Sequence, residues 1–554
     1  MTNTGFIGRI ELLKFLQRET EDLDRKLLLM VIASGVSNAL ILDVINSTVQ
    51  VMEKNGPDWK HFVWFGGTVF LFIYSLQYVL HASTRITESA ISSVRIRLAD
   101  KIRCSELLAL EEIGAADIHA RISRDTAAIA QSVRPLFVAA QSLLMVIFTM
   151  LYLAFISPVA TGLCLILIVG GIVIYLRQRK VYAEGLENAS RKEDELHTSL
   201  SGILDGFKEI RINQLKSDDV FNGFKQNSNE VRDIRTRVML IFSNNIVFIE
   251  LLFLLLLGAV VFILPLVSDS EANSTSQVVA AILFFFGPLG NAVSMVPVYA
   301  QVTVMISNLN RLEKELDQTI EEDPDITEKN SLLFNDFQSV NLKGAHFSYK
   351  SLDGTPSFSI GPIDFSISRG EVLFLVGGNG SGKTTFLKLL TALYQSQEGV
   401  VLVDDQLVTP SNRQLYRNLF SAIFSDFYLF DKLHGLRTVA PDRVNKLLKL
   451  MQISEKTHYD GDSFSDTRLS TGQRKRLALI VSYLENKPIC IFDEVAADQD
   501  PQFRKYFYET LVPEMKKDGK TIIIVSHDDR YFHVGDRVIT MDYGNMTVSG
   551  GQKP

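Results

Sequence analysis

The chain has 554 residues, with 56 Lys and Arg against 63 Asp and Glu and a formal net charge of −7. Length alone suggests about three to four domain equivalents. The acidic balance argues against a dedicated nucleic-acid binder, whose surface is basic, so no nucleic-acid partner is expected. The three cysteines, Cys104, Cys164 and Cys490, form no CxxC or metal-ligand spacing, which excludes a disulfide framework and a zinc site.

The N-terminus carries no cleavable signal: an amphipathic stretch with Arg9, Lys14, Arg18, Arg25 and Lys26 leads into an apolar run. A membrane-crossing helix needs about 20 mostly apolar residues. Six stretches qualify: Leu27 to Ser47, His61 to Leu80, Pro135 to Ile156, Val159 to Tyr175, Met239 to Val267 and Val278 to Ala300. The fourth is short, and the sixth carries Gly287-Pro288 and Pro297. Soluble core helices do not repeat such runs six times, so an all-α membrane domain of six helices is expected.

Between spans two and three lie Arg95, Arg97, Lys101, Arg103, Arg121, Arg124 and Arg134, and between spans four and five lie Arg177, Lys180, Arg191, Lys208, Arg232 and Arg237. The outer loops, such as "SDSEANSTS", hold almost no Lys or Arg. The positive-inside rule therefore puts both long segments and both chain ends in the cytoplasm. Structureless connections of that length are uncommon, so the segments read as spanning helices continuing into water. Two acids interrupt the spans, Asp43 and Glu250. Each is expected to face a cavity or a polar partner, as a cargo-contacting or gating acid or as a structural hydrogen bond between helices, unless Asp43 simply reaches the outer interface. Asn38, Gln141, Asn244, Asn245 and Asn291 are candidates to line a polar cavity.

After the sixth span, "EEDPDITEKNS" reads as an exposed acidic linker broken by Pro324. Beyond it "VLFLVG", "PICIFDE" and "TIIIVSH" are continuous apolar runs ending in polar residues, the pattern of parallel strands buried on both faces. A soluble α/β P-loop NTPase domain is therefore expected. The boundaries read as 1–320 for the membrane domain, 321–332 for the linker and 333–554 for the nucleotide-binding domain.

The chemistry concentrates at the ends of those strands, where ligands of such sheets bind. "GGNGSGKTT" follows the first run and precedes a helical pattern. It comprises Gly377, Gly378, Asn379, Gly380, Ser381, Gly382, Lys383, Thr384 and Thr385, and matches GxxxxGK[ST]. Glycines let backbone N–H groups converge on phosphate oxygens, Lys383 reaches the β- and γ-phosphates, and the Thr384 hydroxyl suits Mg²⁺. Asp493 suits Mg²⁺ coordination, and Glu494 suits polarising a water for in-line attack. His527, at a third strand end, is placed to bond the γ-phosphate. Tyr349, upstream in "HFSYK", is a candidate to stack on adenine.

Six spans followed by such a domain resemble an ATP-binding cassette exporter half, and the resemblance covers essentially the whole chain. It includes "IGAADIHARISRDTAAI", similar to a cytoplasmic-loop pattern of exporter membrane domains, and "LSTGQRKRLAL", similar to the family's signature in a variant form. It implies ATP and Mg²⁺ as cofactors and two cassettes sandwiching two ATPs head to tail. The signature of one, with Ser470, Gly472 and Gln473, then caps the γ-phosphate held by the other. The physics agrees, since Ser470 and the Gly472 N–H sit at the positive end of a helix. One cassette and one set of spans imply a dimer, a homodimer being the economical reading and a heterodimer the other. "FSAIFSDFYLFD" occupies the place of the family's Q-loop, with Ser425 where a glutamine that reaches Mg²⁺ is expected; a bridging water or Asp426 would supply the missing reach. "DEVAADQDPQFR" leaves Asp500 as the D-loop aspartate.

These cassette words look like those of bacterial cyclic-peptide and siderophore-precursor exporters, including pyoverdine-precursor, syringomycin-type and lasso-microcin transporters. The resemblance implies an ATPase in the cell inner membrane, cassette in the cytoplasm, exporting a cyclic or modified peptide: a microcin, lipopeptide or siderophore precursor. About 26 residues before the first span are too few for a peptidase domain, so the cargo is expected already processed. The other readings are export of lipid, haem or another small molecule, and an ATP-gated channel or regulatory subunit.

Overall fold

A computed structural model describes residues 14–15, 18–19, 25–55, 59–267, 275–320, 334, 336–350, 356–436 and 438–549. The expected linker 321–332, and most of the amphipathic stretch before the first span, lie outside the described residues. The chain divides into two compact units, one of residues up to 99 together with 116–313, the other of 100–115 together with 314 onward.

The helices run α1 (Arg25–Asn55), α2 (Trp59–Cys104), α3 (Leu107–Ile113), α4 (Ala115–Ile156), α5 (Pro158–Asp205), α6 (Gln214–Ile263) and α7 (Thr275–Asp317). Among the described residues five of them, α1, α2, α4, α6 and α7, are long and apolar enough to cross a membrane, and the fourth expected span is the shorter apolar stretch Pro158–Val173 that opens α5. At 48 residues α5 is about 70 Å long, more than twice the hydrocarbon thickness, so its polar remainder must run on into water. Ser157 starts it: the Oγ accepts from Ala160 N at 3.1 Å, with Pro158 at the first helical position where its missing N–H costs nothing. In α7 the helix continues through Pro288 and breaks at Met295, where Pro297 cannot follow an uninterrupted ladder.

In the first unit α5 packs along α6, and α4 packs against α1 and α7. Their shared core includes Leu42, Val146, Leu153, Phe253, Val260, Ile282 and Phe285. Phe62, Phe155 and Ile166 are apolar and exposed on these helices. Of the expected cavity-lining amides, Gln141 and Asn38 are buried, and the Gln141 amide donates to Ser34 inside the helix bundle. Asp43 is exposed on α1, and the Tyr152 hydroxyl accepts from Asn46 Nδ2 at 3.1 Å. Glu250 is exposed on α6 and makes no hydrogen bond or ion pair among the described residues. Arg97 forks between two buried carboxylates, reaching Glu313 at 2.9 Å and Glu19 at 2.8 Å.

Among the described residues the second unit holds ten strands: β1 (Ser339–Lys350), β2 (Pro356–Ser368), β3 (Val372–Val376), β4 (Glu398–Val403), β5 (Gln406–Leu407), β6 (Phe420–Ile423), β7 (Ile489–Asp493), β8 (Thr521–Val525), β9 (Arg537–Asp542) and β10 (Asn545–Ser549). The helices needed below are α8 (Lys383–Leu390), α9 (Thr471–Glu485) and α10 (Pro501–Tyr506). One sheet has the order β2-β1-β4-β5 and is antiparallel; the other has the order β10-β9-β3-β8-β7-β6 and is parallel except at β10. Alternate residues of each central strand serve two cores. Leu373, Leu375, Ile491 and Ile523 pack with Phe347, Phe386 and Tyr394 on one face. Phe374, Phe492, Ile522 and Ile524 pack with Leu477, Ile480 and Phe507 on the other. Covering both faces explains why the three expected strands read as unbroken apolar runs. Leu107 and Leu108 of α3 lie against the first of these cores.

Candidate functional site

Strands β3, β8, β7 and β6 are neighbours and parallel, so the loops leaving their carboxyl ends share one edge of the sheet. That topology gathers residues 377–385, 425, 493–494 and 527.

The loop after β3 turns on glycines that no other residue replaces cheaply. Gly377 has φ 153°, and a Cβ there would sit 2.3 Å from the Met541 carbonyl oxygen. Gly382 has φ 102° and passes the chain into α8. Lys383 is buried and folds back, donating from Nζ to the Gly377 and Gly378 carbonyls at 2.9 Å each. Ser381 Oγ is buried and has no partner among the described residues.

Asp493, at the end of β7, is buried and accepts from Thr384 Oγ1 at 3.2 Å and from the Ser425 backbone N–H at 3.4 Å. Burial pushes its pKa above the ordinary aspartate value, against the opposing pull of Thr384 and Ser425. Ser425 therefore stands at the site through its backbone as well as its exposed side chain. Glu494 has φ 54°, a left-handed backbone that costs a non-glycine residue about 1 kcal/mol or more and is tolerated where surroundings hold it. Its N–H donates to the Val525 carbonyl at 3.2 Å, and its Oε1 lies 3.3 Å from His527 Nε2.

Ser470 caps α9. Its Oγ accepts from Gln473 N at 3.4 Å and its own N–H donates to Gln473 Oε1 at 3.2 Å, so Gln473 completes the cap. Among the described residues no hydrogen bond joins this helix end to residues 377–385 of the same chain. A network that sequence reading missed pins α9 to the loop after Glu494. Lys475 Nζ donates to the Glu494 carbonyl at 2.8 Å and to Asp498 at 2.6 Å. Arg476 Nε donates to Gln499 at 2.8 Å, and Gln499 Nε2 donates to the Gly472 carbonyl at 2.9 Å. Gly472 must lack a side chain here, since a Cβ would meet the Asp498 carbonyl oxygen at 2.7 Å. Asp500 caps α10 by accepting from Phe503 N at 2.9 Å; that backbone bond, with Arg476 beside it, holds its carboxyl below the usual range. The only sequence signal was the basic run itself, Arg474, Lys475 and Arg476, at the start of the helix.

Tyr349, at the end of β1, is half-buried, and its hydroxyl lies 3.3 Å from Thr385 Oγ1 and 3.2 Å from the Tyr394 hydroxyl.

The residues fit a nucleoside triphosphate with Mg²⁺. The glycine cradle, the unpartnered Ser381 hydroxyl and an internally parked lysine suit phosphate oxygens. One carboxylate and one hydroxyl suit Mg²⁺, which keeps waters and takes its remaining ligands from phosphate. Fold and site together define a P-loop ATPase joined to a helical membrane unit. Residues 360–497 match the family model described as ABC transporter. The chain is 31% identical to the ATP-binding protein SyrD of Pseudomonas syringae over 93% of its own length and 92% of that protein. It is 24% identical to a putative export ATP-binding/permease protein of Rickettsia felis, over 97% and 95%. Its fold matches the structure of a bacterial Atm1-family ABC exporter with ATP bound, with a TM-score of 0.76 at 15% identity, over 98% of this chain and 95% of that one. The chain belongs to the ABC transporter family, and within it to the exporters. It is a membrane protein whose cytoplasmic cassette hydrolyses ATP to drive transport.

Proposed function

We propose that two copies of this chain form a homodimeric pump of the cell inner membrane that exports a cyclic or modified peptide, with one ATP clasped at each of two sites shared between the cassettes. The observation that supports the shared site is that, among the described residues, no hydrogen bond joins the Ser470 helix end to the phosphate loop of the same chain. Phosphate loop, Asp493, Glu494 and His527 line one sheet edge, while the Ser470 helix end is pinned to its own Asp498–Gln499 loop. In the proposed dimer that helix end serves a nucleotide held by the other copy. In each site Lys383 exchanges its loop carbonyls for phosphate oxygens. Thr384 and Asp493, with Ser425 alongside, would hold Mg²⁺, which neutralises phosphate charge when bound. Glu494 orients the attacking water and takes its proton, and His527 donates to the γ-phosphate. Ser470 and the Gly472 N–H of the second copy close the site. Closure drives transport because ATP binds the closed cassette pair more tightly than the open one. The membrane domain ends near residue 320 and the nucleotide-binding domain begins near 333.

The cargo reading rests on the cassette wording around Ser425, Ser470 and Asp500, which resembles that of cyclic-peptide and siderophore-precursor exporters. An ionised carboxylate is costly against acyl chains, so Glu250 faces the passage rather than lipid. In lipid, ATPase activity is expected to rise with cyclic peptides or siderophore precursors, and sealed inverted vesicles should concentrate the stimulating compound. Stimulation by lipid or haem alone overturns the cargo, and mere equilibration across the vesicle overturns pumping.

The raised pKa of Asp493 carries a pH signature. Coordination needs the carboxylate, and this one takes up a proton at a pH where an ordinary aspartate is still ionised. Mg²⁺ dependence of nucleotide binding is therefore expected to weaken as pH falls from neutrality, steepening toward about tenfold per pH unit below that pKa. Asp493→Asn should remove the pH dependence; an unaltered Mg²⁺ titration down to the normal carboxylate range contradicts the assignment.

A further inference from the structure

We propose that Tyr394 and Glu111 are positioning residues that tie the adenine platform to α3, so that stacking of an adenine base and docking of α3 favour one another. The proposal rests on the reading that the Tyr349 ring is that platform.

Three aromatic rings fix one another at the end of β1. Phe347 stacks on Tyr394 with centroids 4.7 Å apart, and Tyr349 stands edge-on to both, at 5.1 Å from Phe347 and 5.9 Å from Tyr394. Such perpendicular contacts hold a ring's orientation. The hydroxyls then run in one direction. Tyr349 donates to the Tyr394 oxygen at 3.2 Å, and Tyr394 donates to Glu111 Oε2. Lys388 Nζ of α8 donates to the same Tyr394 oxygen at 3.2 Å and to Glu111 Oε1 at 2.8 Å. Tyr394 is 2% exposed. Burial first, and the Glu111 carboxylate second, keep its phenol protonated. A phenol has one proton and two lone pairs, and here all three are engaged, which leaves the chain no second arrangement.

Glu111 belongs to α3, the short helix between α2 and α4, so it lies in sequence between the second and third membrane spans. The helix is seated on the second unit by Leu107 and Leu108 in the core and by Glu106, which accepts from Gln395. Glu111 supplies the seat's ion pair with Lys388, half-removed from water. One end of the hydrogen-bonded chain thus orients the Tyr349 ring, and the other end anchors α3. Fixing either end lowers the cost of fixing the other, and that coupling is reciprocal by necessity. The Tyr349 hydroxyl also lies 3.3 Å from Thr385 Oγ1 at the end of the phosphate loop, so the contribution of the base is isolated by comparing nucleotides that carry the same phosphates.

The test compares Mg-ADP with Mg-UDP, whose smaller base stacks poorly, on the full-length protein in lipid. Tyr394→Phe keeps the ring and removes the donor; Glu111→Gln keeps the shape and removes the charge. Each is expected to weaken Mg-ADP binding about threefold to tenfold while leaving Mg-UDP binding unchanged. In the wild type, hydrogen exchange over residues 107–113 should slow more with saturating Mg-ADP than with saturating Mg-UDP, and the difference should vanish in Tyr394→Phe. Equal losses for both nucleotides, or no loss for either, overturn the proposal. Tyr349→Leu separates the two readings. If it leaves the ADP-to-UDP preference intact, the platform itself is misassigned. If it abolishes that preference while Tyr394→Phe and Glu111→Gln preserve it, the platform stands and the positioning role falls.

Discussion

Glu494→Gln is expected to lower ATP hydrolysis about 100-fold or more while the protein still binds ATP and closes its cassettes around it. Glutamine keeps the length and the planar head of glutamate. Its oxygen still meets His527 Nε2, which lies 3.3 Å from the native carboxylate, and its backbone carbonyl still accepts from Lys475 at 2.8 Å. The left-handed backbone at φ 54° is no worse for glutamine than for glutamate. What is lost is the capacity to take a proton from water. ATP that binds therefore remains uncleaved, and the energy that favours closure is never released. The measurement is co-elution of ATP with the protein after Mg-ATP loading, beside a steady-state ATPase assay. Wild-type turnover in this variant would remove Glu494 from the chemistry.

The second large effect tests the proposed sharing of each site between two chains. Lys383→Ala removes the phosphate cation and leaves the Ser470 end intact; Ser470→Arg does the reverse, at a capping cost of about 1 kcal/mol that the domain survives. Each variant alone is expected to be inactive. In a mixed dimer one shared site carries both defects and the other carries none. With random pairing, half the dimers are mixed and half their sites work, so co-reconstitution should restore about one quarter of wild-type ATPase. Rescue requires subunit exchange, so mixing after stable assembly is the control. A mixture as inactive as its components would mean that each chain completes its own site, and the shared arrangement would be abandoned.

What the sequence disclosed was whatever is written in consecutive residues. The phosphate loop is legible because the same nine residues that form it also lie side by side in the chain, between a strand and a helix. The spans are legible because the hydrocarbon thickness demands a run, and Asp493, Glu494 and His527 because each closes an apolar strand. Contacts across long separations stayed hidden. Lys475 meets Glu494 and Asp498 at separations of 19 and 23 residues, with nothing in "GQRKRLAL" to say which way its ammonium turns. The left-handed turn at Glu494 is imposed by its neighbours, since glutamate has no preference for it. Gln141 and Asn38 show the opposite difficulty. A polar side chain in a span is visible at once, but whether it faces a cavity or a neighbouring helix depends on the rotation of that helix, which composition does not fix. Nor does a linear boundary near residue 320 anticipate that residues 100–115 pack with the soluble unit.

That last feature bears on how the molecule is taken apart. Severing the chain at the acidic stretch looks like a clean excision of the ATPase, yet it strips away α3, whose Leu107 and Leu108 shield the aromatic interior and whose Glu111 neutralises Lys388. The liberated fragment would carry a greasy scar and an ammonium without its carboxylate, and would clump unless the missing seven-residue lid were grafted back or supplied as a peptide.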